Sequence, residues 1–455
     1  MSNIIKYGVA FPHFRIADNI LHPRLGRKGK HAVCYTDEDI ITLAYQACSN
    51  LKIVENIDAI LFATTTPVFS DRYHASFLAD LLGLPNGIFA IDLGTTPRAG
   101  TDALILADKL IKSGVHKNVL VIAVNVNFPP IGNEISTSFG HGAVALIVSN
   151  EKGLAEITDS QSFSSAIAEE FIYKGEDVQY DARFARTAGF VTNIGLALKK
   201  NNINPTSVNN LIVNSLYAKL AFGQFKKSGF DIEKQLSKDT VTPDFGHTGA
   251  CHGLLLLINA IESQSGSTVL FDYFNGTNVI SLSSQAVIAY PVLKNVHATF
   301  LDSYQDYLQL RKQGNFESKS YHSHEMFSSE MLQEREKDNL VYLKGFECVS
   351  CGTVYFMKAA RCNSCHKTEF KTKQLSKTGT VFTITSEHYF PASFSPTNMV
   401  VVDLDGGGRI TVQQTDDMFQ NENTILKIGD KVSLVYRKMM ENDKKPNYFW
   451  KCKKL

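Results

Sequence analysis

Continuous apolar runs, separated by segments of helical spacing, constrain the fold of this chain more than any other feature. The runs DAILFATTT, NVLVIAVNV and GAVALIVSN lack polar–apolar alternation, as expected of strands that are buried on both faces of a sheet. TDALILADKLIKSG, which lies between the first two, has helical spacing and ends in Ser-Gly, typical of a helix C-terminus. The N-terminal part is therefore predicted to have an α/β fold.

The same pattern occurs a second time before about residue 290. NNLIVNSLY is followed by the apolar helix CHGLLLLINAIESQ and by the strands STVLFDYF and NVISLSSQAVIAY. Two successive α/β halves, residues 1–152 and 153–294, indicate an internally duplicated fold. The chain has 455 residues, more than one core organises, so further domains are expected.

The character of the sequence changes in residues 295–340, which are predicted to be a helical linker. SYQDYLQLRKQG predicts one helix, and the polar, serine-rich stretch after it predicts a linker with a second helix. His322 and His324 in this stretch are interpreted as surface residues, with metal binding as the alternative. Residues 372–455 alternate β-prone residues with glycine-rich turns, which indicates a small all-β domain, most simply an OB-fold barrel.

Four of the eight cysteines lie within a span of 18 residues, 348–365, inside the predicted ribbon segment 341–371, as Cys-x2-Cys-x10-Cys-x2-Cys. Two residues between ligands allow one tight turn to present both thiolates to a tetrahedral ion. The predicted ligands are Cys348, Cys351, Cys362 and Cys365. This closed set leaves no open position for chemistry and indicates a structural zinc ribbon, with rubredoxin-like iron as the alternative because thiolates suit both metals.

Charge and hydropathy argue against several functions. The formal net charge of +1 does not favour wholesale binding to nucleic acid or to a membrane surface, and no window approaches 18 apolar residues. Residues 341–455 hold 17 Lys and Arg against 11 Asp and Glu, but without a basic stripe, so nucleic-acid binding by the ribbon and barrel is not favoured. The first residues lack the apolar stretch of a signal peptide, and we expect a cytoplasmic location.

Several segments, in their order and spacing, resemble 3-hydroxy-3-methylglutaryl-CoA (HMG-CoA) synthases, especially the archaeal type, within the thiolase superfamily. They include YGVAFPHFRI, GKHAVCYTDEDIITLAYQACSNL, STSFGHGAVALIVSN and DFGHTGACHGLLLL, and the resemblance covers roughly residues 3–290. From LKGFECVSCGTVYF onward the chain is similar to the zinc-ribbon plus OB-fold domain that accompanies thiolase-like proteins. The resemblance implies a duplicated, five-layered αβαβα thiolase-like fold, related to ketoacyl synthase III, followed by the ribbon and the barrel.

The acidic residues 37–39, in the segment GKHAVCYTDEDIITLAYQACSNL, have a local explanation. Thr36 is predicted to cap the following helix, with Asp39 three residues later. Asp37 and Glu38 would then favour the positive end of that helix.

The resemblance implies a cysteine nucleophile at the N-terminus of a buried helix, in a motif of the form Asp-x-x-x-x-Cys-x-Gly-Gly-Thr. Here the stretch begins at Asp92, and Pro97 stands at the cysteine position. Proline is tolerated in the first turn of a helix, so we expect the helix to be kept and the nucleophile to be lost. Thr95 and Thr96 are alternative nucleophiles, but an alcohol needs a partnered base and none is obvious.

Three further positions follow from the resemblance. The family's histidine in His-Gln-Pro-Asn-x-Lys corresponds to Asn214, which cannot shuttle protons near neutral pH, and the lysine corresponds to Lys219. The synthases' acid/base glutamate would fall near Thr65. Only His247, in FGHTG, is retained in a usable form, either as a catalytic or as a structural residue.

Other residues near these positions are also candidates. Cys251 begins an apolar helix and is either an activated nucleophile or a small buried cysteine. Arg98 and Lys219 are predicted to line the pocket, with Arg98 and Asp102 at its mouth.

Two functions fit these observations. The first is a pseudoenzyme: a homodimeric subunit that keeps a CoA-thioester pocket and serves a catalytic thiolase-like or ketoacyl-synthase-like partner in an acyltransferase or condensing complex. The combined changes at Pro97, Asn214 and Thr65 favour it. The second is a stand-alone acyltransferase, carbon–carbon bond-forming or retro-aldol enzyme without a covalent acyl-cysteine. In that enzyme His247 would be the acid/base, and Arg98 or Lys219 would stabilise charge.

Overall fold

The computed structural model divides into two compact units, which are described separately. Unit 1 comprises Met1–Val33, Leu43–Asp80 and Leu84–Tyr304, and unit 2 comprises Cys34–Thr42, Leu81–Gly83 and Gln305–Leu455. The structure describes the chain except for residues 27, 133–138, 174–175, 180, 216, 286–290, 295, 312–329, 389–393, 395, 420, 422–423 and 443–444. His322 and His324 therefore lie outside the described residues. Within the described part, none of the helices combines the length and hydropathy needed to cross a membrane.

The secondary structure up to residue 303 alternates strands with helices, as the sequence predicts. The strands are β1 (Ser2–Ala10), β2 (Phe14–Ala17), β3 (Lys30–Val33), β4 (Ala59–Ala63), β5 (Phe89–Leu93), β6 (Asn118–Asn125), β7 (Gly142–Ser149), β8 (Ala155–Ser164), β9 (Glu170–Tyr173), β10 (Glu176–Gln179), β11 (Asn210–Asn214), β12 (Gly266–Tyr273), β13 (Gly276–Ser284) and β14 (Thr299–Phe300). The helices are α1 (Asp18–Leu21), α2 (Ile40–Leu51), α3 (His74–Leu81), α4 (Ala99–Lys112), α5 (Ala182–Phe184), α6 (Thr192–Lys200), α7 (Phe222–Lys227), α8 (Ile232–Gln235), α9 (Thr242–Phe245) and α10 (His252–Ser263). A π-helical segment, Ala185–Val191, joins α5 to α6.

Nine strands of unit 1 form one mixed sheet in the order β11-β12-β13-β8-β1-β7-β6-β4-β5. The two halves meet where Ser2–Ile4 of β1 pairs with Ala155–Ile157 of β8. β4 pairs in parallel with both β5 and β6, and β11 pairs in parallel with β12. Strands β4 and β7 are buried along their whole length, which confirms the prediction made from the continuous apolar runs.

Helices α4 and α10 pack against each other, and between them they contact strands of both halves. α4 contacts β4 and β6 of the first half and β8 and β13 of the second, while α10 contacts β11 and β12. Their first turns approach so closely that a Cβ on Gly100 would overlap the carbonyl oxygen of Ala250. This glycine therefore lets the starts of the two central helices lie side by side.

Unit 2 contains two small β structures. Its strands are β15 (Lys344–Cys348), β16 (Val354–Tyr355), β17 (Phe370–Gln374), β18 (Thr378–Glu387), β19 (Thr397–Leu404), β20 (Arg409–Gln414), β21 (Lys431–Asn442) and β22 (Lys445–Lys454), and the helices after residue 303 are α11 (Tyr304–Leu310), α12 (Glu330–Arg335) and α13 (Lys337–Leu340). β16-β15-β17 form an antiparallel ribbon, and β18-β19-β20-β22-β21 close into a barrel around the buried Trp450. The closed five-stranded barrel confirms the predicted OB-type architecture.

The acidic run after β3 belongs to unit 2 and is buried there. Asp37 accepts hydrogen bonds from the hydroxyl of Thr415 (2.7 Å) and the ammonium of Lys451 (2.9 Å). Glu38 lies 2.7 Å from the guanidinium of Arg437, and burial raises the pKa of Glu38 to about 7 although Arg437 lowers it. Removing one partner from such a buried pair leaves an uncompensated charge, so this network is expected to matter for stability.

The cap of α2 differs from the sequence prediction. Asp39 Oδ1 accepts the backbone N–H groups of Ile41 (2.9 Å) and Thr42 (3.0 Å), and Thr42 Oγ1 accepts the N–H of Asp39 (2.8 Å). Asp39 is therefore the capping residue, and the prediction of Thr36 as the cap is wrong. The local motif did not reveal that Asp37 and Glu38, just before Asp39, contact Lys451 and Arg437 within unit 2.

Candidate functional site

Pro97 lies in a tight turn directly before α4. The helix begins at Ala99 with Arg98 at its N-cap, and the N–H of Ala99 donates to the carbonyl of Thr96 (2.9 Å). Proline suits the second position of such a turn because its ring fixes φ. The helix is present as predicted. Pro97 lies two residues before its first residue, Ala99, so the prediction that Pro97 is inside the first turn is wrong.

The threonines of this turn show no arrangement that would activate a nucleophile. Thr95 is exposed at φ 69°, an unusual conformation for a β-branched residue. Thr96 Oγ1 donates to the side-chain oxygen of Asn275 at 3.4 Å. Within the described residues, neither hydroxyl is hydrogen-bonded to a histidine or a carboxylate that could take its proton.

Arg98 lies in the interior rather than at a pocket mouth. Its side chain is only 7 % exposed, and its Nη1 donates to Ser162 Oγ (3.0 Å) and Asn278 Oδ1 (2.5 Å). The same nitrogen is 3.5 Å from Asp102 Oδ1, one helical turn later. Arg98 thus ties the start of α4 to β8 and β13, which contradicts its predicted position at the pocket mouth.

Asn214 is engaged by a buried carboxylate. Its amide donates to Asp272 Oδ1 (2.9 Å), while Thr101 Oγ1 donates to Asp272 Oδ2 (2.5 Å). Burial raises the pKa of Asp272 to about 6, although Thr101, Asn214 and the charge of Arg98 favour the ionised form. Asn214, which the resemblance places at the family's histidine position, therefore holds Asp272 in place, and its amide does not titrate near neutral pH.

Thr65 lies near the start of α10, the second of the two central helices. Its N–H and its hydroxyl both donate to Asn125 Oδ1, at 3.2 and 2.7 Å. A Cβ on Gly249, in the turn before α10, would overlap the Asn125 side chain. Since the first turns of α4 and α10 touch, Thr65 and His247 lie at the same end of the central helices as Pro97 and Asn214.

His247 has the geometry of a neutral hydrogen-bond donor. Its Nδ1 accepts the N–H of Gly249 (3.2 Å), which leaves the proton on Nε2. Burial lowers the pKa of His247 well below its usual value, and the neighbouring His252 lowers it further. The neutral ring is suited to polarise a carbonyl through Nε2–H, and less suited to accept a proton there.

His252 and Asp239 support His247, and the sequence analysis did not assign them a role. The rings of His247 and His252 stack with centroids 4.1 Å apart. His252 is buried, and its Nε2 lies 3.3 Å from Asp239 Oδ2. Burial alone would raise the pKa of Asp239, but hydrogen bonds from His252 and Thr242 and the charge of His252 lower it far below the usual range. His252 is adjacent to Cys251 in sequence, whereas no motif marks Asp239.

Two candidate residues remain: Cys251, which is buried, and Lys219, which is exposed. The Cys251 thiol is buried and donates to the carbonyls of Thr248 (3.1 Å) and Gly142 (3.3 Å). Burial raises its pKa to about 12, so it is a thiol at neutral pH, which favours the small buried cysteine over the activated nucleophile. Lys219 is exposed, on the 3₁₀ turn Ala218–Ala221.

The four clustered cysteines converge as their spacing predicts. All four Sγ atoms lie within 4.8 Å of one another, with Cys348 and Cys365 at 3.5 Å and Cys351 and Cys362 at 3.4 Å. In a tetrahedral zinc–thiolate site the sulfurs are separated by about 3.8 Å, so the arrangement fits one ion. The cluster can hold a metal, and its four thiolates suit zinc or iron.

Comparisons with known families match two parts of the chain. Residues 91–166 match the family of 3-oxoacyl-(acyl-carrier-protein) synthase III, and residues 372–437 match the C-terminal OB-fold domain of ChsH2. The first match contains the Pro97 turn and α4, and the second contains most of the barrel.

Relatives and solved structures agree with these matches. The chain is 23 % identical to hydroxymethylglutaryl-CoA synthase of Thermoplasma acidophilum over 270 residues (54 % of this chain, 76 % of the relative) and 24 % identical to that of Picrophilus torridus over 268 residues (54 % and 76 %). It is similar in fold to HMG-CoA synthase complexed with CoA (TM-score 0.58, 17 % identity, 68 % of this chain and 89 % of that chain). The HMG synthase of the curacin biosynthetic pathway is also similar (TM-score 0.56, 16 % identity, 68 % and 87 %). The duplicated thiolase-like fold is thereby confirmed.

Proposed function

We propose that this chain, a thiolase-like domain with HMG-CoA synthase homologues joined to a ChsH2-type OB-fold domain, is a non-condensing subunit. It binds an acyl-CoA or acyl-thioester and serves a catalytic thiolase-like partner in an acyltransferase or condensing complex. The observation that carries the proposal is Pro97, which stands at the family's nucleophile position before an intact α4. Without a side chain that can form an acyl-enzyme, the covalent step of a condensation has no acceptor.

The other positions agree with a loss of condensing chemistry. Asn214 is hydrogen-bonded to Asp272 and offers no acid/base proton, and Thr65 is hydrogen-bonded to Asn125. Cys251 is a buried thiol with a raised pKa. These side chains are packed and hydrogen-bonded rather than poised for proton transfer.

A retained ligand site is supported by the architecture around the missing nucleophile. The start of α4 keeps its close contact with the turn before α10, and His247 keeps a polar ring there. One similar structure is HMG-CoA synthase complexed with CoA, which supports a CoA thioester as the ligand class. We further propose that unit 1 homodimerises. The ribbon and barrel of unit 2, stabilised by zinc, would form the module that bridges this subunit and its catalytic thiolase-like partner.

The Asp239–His252–His247 array favours a second candidate function. It would orient Nε2–H of His247 towards a bound carbonyl, which suits acyl transfer, carbon–carbon bond formation or retro-aldol cleavage without an acyl-cysteine. In this case the purified chain alone would turn over a thioester.

Three measurements on the purified full chain, and a pull-down from the native host, distinguish the candidates. Acetyl-CoA is titrated calorimetrically, covalent adducts are sought by intact-mass spectrometry, and CoA release is followed with a thiol reagent. Binding without an adduct or turnover, together with co-purification from the native host of a thiolase-like protein that has its active cysteine, supports the non-condensing subunit. Turnover that His247→Ala abolishes contradicts it and supports the second candidate.

A further inference from the structure

Two side-chain hydroxyls of the ribbon lie against sulfur atoms of the cysteine cluster. The Tyr355 hydroxyl is 3.3 Å from Cys362 Sγ, and the Thr353 hydroxyl is 3.2 Å from Cys351 Sγ. Cys351 and Cys362 belong to different Cys-x2-Cys pairs, and their sulfurs lie 3.4 Å apart. Each pair therefore has one ligand that a side-chain hydroxyl contacts.

Both hydroxyls come from one short extended segment. Tyr355 is the second residue of β16 (Val354–Tyr355), and Thr353 directly precedes that strand. In extended backbone, residues two apart point to the same face, so Thr353 and Tyr355 share the face that meets the cysteines. Val354, between them, lies against Gly407 of the barrel, where an added Cβ would come within 2.9 Å of its side chain. The segment thus presents its hydroxyls to the cysteines and its apolar side chain to the barrel.

The hydrogen bonds of Tyr355 determine the direction in which its hydroxyl donates. The backbone N–H of Asn363 donates to the Tyr355 oxygen at 2.8 Å, so this oxygen already serves as an acceptor. A cysteine that ligates a metal is a thiolate without a proton and can only accept. With the ion bound, the O–H of Tyr355 therefore donates to Cys362. The ring of Tyr355 packs edge-on against Phe370 with centroids 5.8 Å apart, which holds the hydroxyl in this position.

Thr353 makes the corresponding contact on the solvent side of the cluster. Cys351 is exposed, whereas Cys348 and Cys362 are buried. The Thr353 hydroxyl also donates to Ser364 Oγ at 3.1 Å. Both groups are hydroxyls, so rotation of the two protons reverses this bond and leaves the Thr353 proton for the Cys351 thiolate. The exposed ligand therefore has a donor beside it.

We infer that the hydroxyls of Thr353 and Tyr355 hold the metal ion of the ribbon by donating hydrogen bonds to two of its thiolate ligands. This rests on the proposal that the ribbon binds zinc. Four thiolates around one dication leave an excess of negative charge, which hydrogen-bond donors stabilise. Donors in the outer shell also orient the ligands, so they strengthen metal binding without touching the ion. Thr353 and Tyr355 are thus positioning residues of the site.

The first test measures how firmly the purified full chain binds zinc. The Zn²⁺ affinity is obtained by competition with a chromophoric chelator for the wild type, Tyr355→Phe and Thr353→Val, which remove a hydroxyl at similar volume. Each substitution should lower the affinity about tenfold, as expected for the loss of an outer hydrogen-bond donor. The matched control is Thr372→Val, at an exposed position of β17 in the same ribbon, which should leave the affinity unchanged.

The second test uses Co²⁺ in place of zinc, because its spectrum separates hydrogen bonding from packing. Loss of a hydrogen bond raises the energy of the sulfur lone pairs. The thiolate-to-cobalt charge-transfer bands should therefore move to longer wavelength in Tyr355→Phe and in Thr353→Val. Thr372→Val should keep the wild-type spectrum.

The possible outcomes separate this inference from metal binding itself. Zinc affinity and cobalt bands that stay at wild-type values in either variant overturn the inference and leave the metal site in place. A lower affinity with unmoved bands also overturns it, because the hydroxyl would then act only through packing of the ribbon. If the wild-type chain binds neither ion, the inference and the zinc-stabilised ribbon fall together, while the thioester-binding function is untouched. If Tyr355→Phe does not fold, as judged by its melting curve, Thr353→Val decides the outcome.

Discussion

Replacing Pro97 with cysteine would place a thiol where the resemblance puts the family's nucleophile, and would test whether the start of α4 favours an anion there. A negative charge at a helix N-terminus gains about 0.3–1 kcal/mol, which corresponds to a pKa about 0.2–0.7 units lower. The nearest charges, Arg98 and Asp102, lie 3.5 Å apart and largely compensate each other. We therefore expect the new thiol to have a pKa of about 8 instead of the usual value of about 8.5.

The matched control is Ser113→Cys at the other end of the same helix. Ser113 is exposed at the C-cap of α4, where the helix dipole should raise the pKa of a thiol by a similar amount. The two thiols should therefore differ by about 0.4–1.4 units. Among the native cysteines, Cys34, Cys48, Cys251 and Cys452 contribute little background because burial raises their pKa values.

The assay is the rate of iodoacetamide alkylation between pH 6 and pH 10, followed by intact-mass spectrometry. A pKa for Pro97→Cys equal to or above that of Ser113→Cys would refute the argument that position 97 lies at an anion-favouring helix end. Incubation with acetyl-CoA adds a second readout. An acyl adduct on Pro97→Cys, and none on Ser113→Cys, is expected if the site still binds the thioester.

Three further predictions concern stability and metal content. Purified chain should contain one metal ion, measured by elemental mass spectrometry, and Cys348→Ser should lose it; retention of the ion would contradict a four-cysteine site. Arg437→Met should lower the free energy of unfolding in urea by about 3–5 kcal/mol because it leaves Glu38 buried and unpaired. The control Arg409→Met breaks a half-exposed pair with Asp403 and should lower it by less than about 1 kcal/mol. Equal losses would contradict the buried network. Since the folded-state pKa of Asp272 is raised to about 6, the free energy of unfolding should fall by about 3 kcal/mol as the pH rises from about 4 to 6. Asp272→Asn should flatten that slope, and an unchanged slope would contradict the raised pKa of Asp272.

The sequence predicted the features that depend on local pattern. Continuous apolar runs identified strands buried on both faces, and the strands β4 and β7 are buried throughout. The Cys-x2-Cys pairs predicted a converging cluster because a two-residue spacing fixes the geometry of each pair. The prediction that Pro97 stands at the cysteine position of the family rests on the resemblance and on one residue of the sequence.

The roles of the polar side chains required the tertiary structure. Asn214 is 58 residues from its partner Asp272, and Thr101 is 171 residues from it, so no local pattern indicates that they meet. Arg98 was expected at a pocket mouth but is buried, since β8 and β13 provide acceptors for its guanidinium.

The acidic run after β3 marks the same limit. From the sequence, Asp37 and Glu38 were predicted to favour the positive end of the following helix, yet their partners Lys451 and Arg437 come from the barrel strands of unit 2. The sequence by itself thus determined which elements form and which four cysteines converge. Packing decided which buried polar groups are paired, because that depends on contacts between residues far apart in the chain.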